Sequence, residues 1–283
     1  MAGPRSAYVQ FNRSLRSPPV AIAFLLLVAI SLIAVLAPWM GTSDPTLIDP
    51  SARLQNASAE HPMGTDAMGR DVYSRVMYGA RVSLAVGLGA ALGSVALGLL
   101  IGVVAGYFRL ADAIIMRVMD GLMAIPSILL AIALVALSGG GLGTVLVAIL
   151  IPEMPRAVRL VRSVIISVRN EPYVEAAISL GTPLPRLLLR HMVPNTVAPL
   201  IVQGTVIFAS AMLTEAAMSF LGVGLPPEIP SWGNIMAEGR TYFQLKPGLI
   251  FYAGGFLALT VLSVNVLGDV MRDALDPRMA RKL

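Results

Sequence analysis

Apolar and polar residues follow one another along this chain in long blocks, not with the period-two alternation of a half-buried strand. Six blocks dominated by apolar residues, at 20–40, 82–108, 120–137, 143–164, 197–221 and 248–270, each approach the ~20 residues an α-helix needs to cross a bilayer. The pattern predicts an all-α membrane protein with six transmembrane helices. On this reading the chain divides into a tail (1–19), a first transmembrane helix (20–40), a polar outer segment (41–81), a transmembrane core (82–271) with an inner loop at 170–195, and a second tail (272–283). Arg5, Arg13 and Arg16 ahead of the first block would also suit a signal peptide, but the block is long and Leu36-Ala37-Pro38-Trp39 offers no clear small-residue cleavage site. We read it as an uncleaved span with Trp39 anchored at the membrane interface.

Inside the blocks, single residues add detail. Gly89 and Gly93, then Gly98, Gly102 and Gly106, recur at four-residue spacing, which strips one helix stripe of bulk and predicts close packing on a neighbouring helix. Pro126 falls within the third block, and Ser138-Gly139-Gly140-Gly141 reads as a tight outer turn. The fourth block holds Pro152, Glu153 and Pro155 near its middle, followed by Arg156, Arg159 and Arg162. An intramembrane carboxylate is a functional candidate by default; the plainer reading is that Glu153 pairs with Arg156 or Arg159 near the inner boundary. Glu215, near the outer end of the fifth block, either lines a pathway or pairs with a partner subunit. The proline-rich outer loop 222–247 carries Trp232, placed for the headgroup level, and Arg109, Asp112 and Arg117 read as a short charged inner loop. His61 and its neighbouring aspartates lack the supporting pattern of a metal site, so no metal is expected.

Composition agrees with the blocks. At 56% hydrophobic and 13% charged residues, the chain is too apolar for a soluble globular domain. The net charge of +5 does not point to nucleic acid, because the basic residues are dispersed and the lysines are limited to Lys246 and Lys282. On the six-span reading, fifteen of the 21 Lys and Arg fall on one side and six on the other, which puts both termini in the cytoplasm. There is no cysteine for disulfides or thiolate metal sites. Nor is there a Gly-x-x-x-x-Gly-Lys-Ser/Thr phosphate loop, a His-Glu-x-x-His helix or a Gly-x-Ser-x-Gly elbow. The chain is read as a non-catalytic subunit, and any energy supply must come from a partner.

The inner loop 170–195 is too polar to cross the membrane and reads as two short helices with a bend. Asn170 is a candidate N-cap, Pro172 fits a first turn, and Gly181 suits a left-handed close. Thr182-Pro183 restarts a second segment, which Pro194 ends. The first helix would present Glu175, Ala176 and Ala177: small side chains for close approach and one carboxylate. Without a partner, the same stretch would be an interfacial amphipathic turn.

The spacing of Glu175-Ala176-Ala177, Gly181 and Pro194 resembles the Glu-Ala-Ala loop of ABC importer permeases, although His191 and Val193 stand where the general pattern has Ile and Leu. Arg190-His191 with Pro194-Asn195, the run from His61 to Arg81, Thr214 to Gly222, and Arg272 to Arg278 are similar to the dipeptide, oligopeptide and nickel branch. That resemblance implies a type I importer permease fold and a coupling role toward a cytoplasmic ATPase for Glu175, Ala176, Ala177, Gly181, Arg190 and Pro194. It also implies a second homologous permease, two ATP-binding subunits that hold ATP and Mg, and an extracellular or periplasmic substrate-binding protein. No cofactor is expected in this chain itself. The implied cargo is a dipeptide or oligopeptide, with nickel or glutathione as alternatives, and the implied location is a bacterial inner membrane. Glu153, Glu215 and Trp232 are the candidate pathway or gate residues. A secondary transporter driven by an ion gradient is the competing class; it would use Glu153 and Glu215 but calls for an inverted repeat that the chain does not obviously have. A structural scaffold would have no use for the loop.

Overall fold

A computed structural model describes residues 17–275; Arg5, Arg13, Arg16, Asp276, Pro277, Arg278 and Lys282 lie outside the described residues. Helix α1 (Pro18–Leu36) opens on two prolines, whose missing N–H groups would have had no partner in a first turn. It closes in a 3₁₀ turn, Ala37–Trp39, that leaves Trp39 76% exposed, as an interfacial anchor requires. Helix α2 (Val72–Tyr107) begins ten residues before the apolar block does, because Asp71 caps it by accepting a hydrogen bond from the Ser74 amide at 2.8 Å. At 36 residues it is about 54 Å long, well beyond the ~30 Å of a hydrocarbon core.

The third predicted span and the charged loop before it both need correction. Residues 109–117 are not a loop but the start of α3 (Arg109–Ala124), and the third span is broken: α3 and α4 (Ser127–Ser138) meet at 91°. The break lies at Ile125, held extended at ψ 130° by the proline that follows it. Helix α5 (Leu142–Arg169) runs through both Pro152 and Pro155. After it come α6 (Pro172–Ser179), α7 (Leu184–Leu187) continuing into a π-helical turn at Leu188–Met192, α8 (Pro194–Phe220), α9 (Trp232–Thr241) and α10 (Gly248–Leu275). Among the described residues no strand forms; a lone bridge joins Thr65 and Asp71.

By length and apolarity α1, α2, α8 and α10 can each cross a membrane, and the bent α3/α4 pair makes a fifth crossing if it is counted as one span. Helix α5 is long enough but carries Glu153 near its middle and Arg156, Arg159, Arg162 and Arg169 in its second half. Helix α2 is the axis of the bundle, packed on α5 and α8, while α10 lies against α1, α8 and α9. The glycine stripe faces α5 as its spacing predicts: a Cβ on Gly98 would lie 2.3 Å from the Ala157 Cβ, and one on Gly102 2.6 Å from the Val161 Cβ.

Candidate functional site

The inner loop folds as a rigid platform. Asn170 does not cap α6: it ends α5, where its amide bonds to the Ser167 carbonyl, and the residue before α6 is Glu171, without a side-chain cap. Pro172 occupies the first turn as expected. Gly181 adopts φ +74°, and the amides of Gly181 and Thr182 return to the carbonyls of Ile178 and Ala177 at 2.9 and 3.1 Å, a Schellman closure. Pro194 does not end the second segment in a loop; it is the first residue of α8, where a proline costs no hydrogen bond.

Val174, Ala177, Leu187 and Met192 seat this platform in the core beside Val161, Ile165 and Leu200. Ala177 is therefore buried at 7% and is not presented outward, which corrects the expectation for it. The Asn195 amide donates to the His191 carbonyl at 2.8 Å and to the Tyr173 hydroxyl at 3.1 Å, tying α6 to the start of α8. What remains on the surface is Glu175, Ala176, Gly181, Arg190 and Pro194, ringed by Leu180 (85% exposed) and Leu189 (69%) with Ile178, Leu184 and Arg186. A Cβ on Gly181 would meet nothing within 4 Å. The sequence reading missed the two exposed leucines. Their signal was Leu180 directly before the closing glycine and a Leu-Leu-Leu run one residue longer than a single buried face needs.

The three pathway candidates separate. Glu153 is buried, accepting from the Arg156 Nη1 at 3.1 Å and from the Ser210 hydroxyl at 2.9 Å, so the pairing with Arg156 holds, while Arg159 goes instead to Asp120. Glu215 is buried within the chain, between α8 and the start of α9. It is 1% exposed, its Oε1 accepts from Ser219 (2.9 Å) and from Ser231, the N-cap of α9 (2.8 Å), and its Oε2 is buried without a partner among the described residues. Trp232 is not presented to lipid headgroups but fully buried in the protein: its indole N–H donates to the Val76 carbonyl at 3.0 Å and its ring lies against Phe256. The loop that carries it is in large part helix α9.

Segment 41–71 is fastened to α9 by buried charges that the sequence reading did not pick out. Asp66 accepts from Arg70 Nε at 2.6 Å and Arg75 Nη1 at 3.0 Å, and Glu238 accepts from Arg70 Nη2 at 2.8 Å. Burial, and Asp66 beside it, push the Glu238 carboxyl above its ordinary 4.5. His61 stands 3.1 Å from Asp71, and among the described residues no group of three or more such side chains is placed to hold a metal ion.

Comparison with known proteins puts this architecture in context. Residues 95–281 match the family described as binding-protein-dependent transport system inner membrane component. The chain is 54% identical to a probable peptide ABC transporter permease of Sinorhizobium fredii over 267 residues, covering 94% of this chain and 91% of that one. It is 43% identical to a dipeptide transport system permease of Alkalihalophilus pseudofirmus (91% and 85% covered) and 39% to a glutathione transport system permease of Pectobacterium atrosepticum (80% and 75%). An all-helical fold with several apolar helices, and full-length likeness to these proteins, lead to one conclusion: the chain is a multi-pass membrane protein that belongs to the binding-protein-dependent transport inner membrane component family, the permeases of ABC importers.

Proposed function

We propose that this chain is the permease subunit of an ATP-driven peptide importer in a bacterial inner membrane, where it forms half of the translocation pathway and couples to a separate ATPase. The observation that carries the coupling is the platform of α6: Ala176 and Gly181 leave backbone within reach of a docking protein, Leu180 and Leu189 offer it apolar contact, and Val174 and Ala177 fix the platform to α5 and α8. In this reading α1, α2, the α3/α4 pair, α5, α8 and α10 make six spans, both termini are cytoplasmic, and the platform faces the cytoplasm. A second homologous permease completes the pathway, two ATP-binding subunits hold ATP and Mg, and a substrate-binding protein delivers cargo. Dipeptides or oligopeptides are the cargo that most of the named relatives support; the glutathione relative supports a modified tripeptide as a second choice.

Because the chain has no cysteine, Ala176→Cys is a clean crosslinking probe. It is expected to join the ATPase in the assembled complex. Gly181→Trp, whose side chain would fill the open space above the platform, is expected to leave the complex inserted while ATP-dependent peptide uptake falls. Labelling of the introduced cysteine from the cell exterior, or uptake that ignores nucleotide and follows a proton gradient, would overturn the reading.

A further inference from the structure

Arg156 is the charge on α5 that the fold leaves unexplained. The guanidinium is held from one side, where buried Glu153 accepts from its Nη1 and is itself fixed to α8 by Ser210; yet the side chain is 45% exposed. Among the described residues it donates to no other acceptor. One turn on, Arg159 is 42% exposed and lies 2.6 Å from Asp120, itself 57% exposed. Asp120 stands just before the α3/α4 elbow, and a Cβ on the adjacent Gly121 would meet nothing within 4 Å. Glu153, Arg156, Arg159 and Asp120 thus form a charge-balanced group of two ion pairs, in which Arg156 and Asp120 are each held from one side and exposed on the other.

Depth makes this arrangement informative. On the six-span reading, about 20 Å of helix α5 separates the glycine turn from Arg156, roughly two-thirds of the hydrocarbon thickness. Half-exposed charges at that level are not solvated by lipid tails and require water or a polar partner. We propose that Arg156 and Asp120 form a docking point for short peptides in the translocation pathway, Arg156 taking the free carboxylate and Asp120 the ammonium. A dipeptide separates these termini by about 7 Å of extended chain, and Arg156 lies one helical turn from Arg159, the side chain that holds Asp120 at 2.6 Å. The planar fork of Arg156 suits a carboxylate, and Glu153 and Ser210 hold it aimed. The proposal rests on the peptide-importer reading above and adds the side chains that meet the cargo inside the membrane.

The test uses the assembled complex in proteoliposomes with its binding protein, supplied with a dipeptide containing photo-leucine. In the wild type, irradiation during ATP-driven turnover is expected to label α5 around Arg156. Arg156→Gln is expected to lower the maximal uptake rate roughly tenfold or more, the loss expected for one charged hydrogen bond, with the KM for the loaded binding protein unchanged, and to lose the label. Arg156→Lys, which keeps the charge but not the fork, is expected to fall between. Uptake and labelling by Arg156→Gln equal to wild type would overturn the proposal. So would loss of the second permease from the purified Arg156→Gln complex, which would make Arg156 a subunit-interface ion pair. A wild-type complex that shows no ATP-dependent dipeptide uptake would instead overturn the peptide-importer reading on which the proposal stands.

Discussion

At Gly102 the gap between α2 and α5 is less than one methyl wide, with the Val158 carbonyl at 2.9 Å and two Val161 carbons at 2.6 and 2.9 Å from where a Cβ would sit. Both neighbours are rigid, so the helices must part: Gly102→Leu is expected to destabilise the purified protein by about 1–3 kcal/mol or more, read as a lower melting temperature in detergent. Glu215 gives a contrasting pair of variants. Its Oε1 satisfies two serine hydroxyls while among the described residues no cation pairs with the carboxylate, so Glu215→Gln is expected to cost under about 1 kcal/mol, and Glu215→Ala about 1–3 kcal/mol for the two orphaned hydroxyls. If the Gln variant is as unstable as the Ala variant, a hidden ion pair holds Glu215. The glycine contacts were legible because four-residue spacing already encodes a face. The burial of Trp232 was not: its partners Val76 and Phe256 lie 156 and 24 positions away, and no local pattern joins them.

Single elements show where local signals compete. The sequence puts Arg109, Asp112 and Arg117 in a loop because they are charged, yet Leu110, Ile114 and Val118 recur every fourth residue, and Asp112 meets Arg162 on α5 while Asp120 meets Arg159. The helix is stable because α5 supplies counter-charges, information that lies 39 to 50 residues further on. Similarly, Pro126 was visible but its 91° consequence was not, since proline in an apolar run is also compatible with a mild kink. The junction between the outer segment and α9 carries its own prediction. Glu238 has a native pKa raised above 4.5, so the folded chain holds this proton more tightly than the unfolded chain does. Its contribution to stability is complete below that value and is lost as pH rises through the native pKa. Hydrogen exchange at the Asp66 and Val72 amides is expected to quicken over that range beyond the ordinary chemical trend, and Glu238→Gln, which cannot ionise, is expected to remove the excess. An equal excess in the variant would place the titration elsewhere.

For the molecule as a whole, the orientation is the claim most open to a direct trial. Asn56→Cys is expected to react with a membrane-impermeant maleimide in intact spheroplasts, and Glu175→Cys only after the membrane is opened; the reverse would invert every assignment of inside and outside. The blocks mark six candidate crossings; α1, α2, α8 and α10 keep that character by length and apolarity in the fold, whereas α5 carries a carboxylate and several arginines along its length and the α3/α4 pair is bent at 91°. The great length of α2 has a mechanical consequence. One unbroken rod carries the outer segment and Trp232 near its first turns and grips the α5 stripe as far as Gly106 near its last. Any tilt imposed at its Tyr107 end must therefore reappear at its Val72 end with its sense reversed about the pivot, so a narrowing at one end and a widening at the other are a single stroke of one lever.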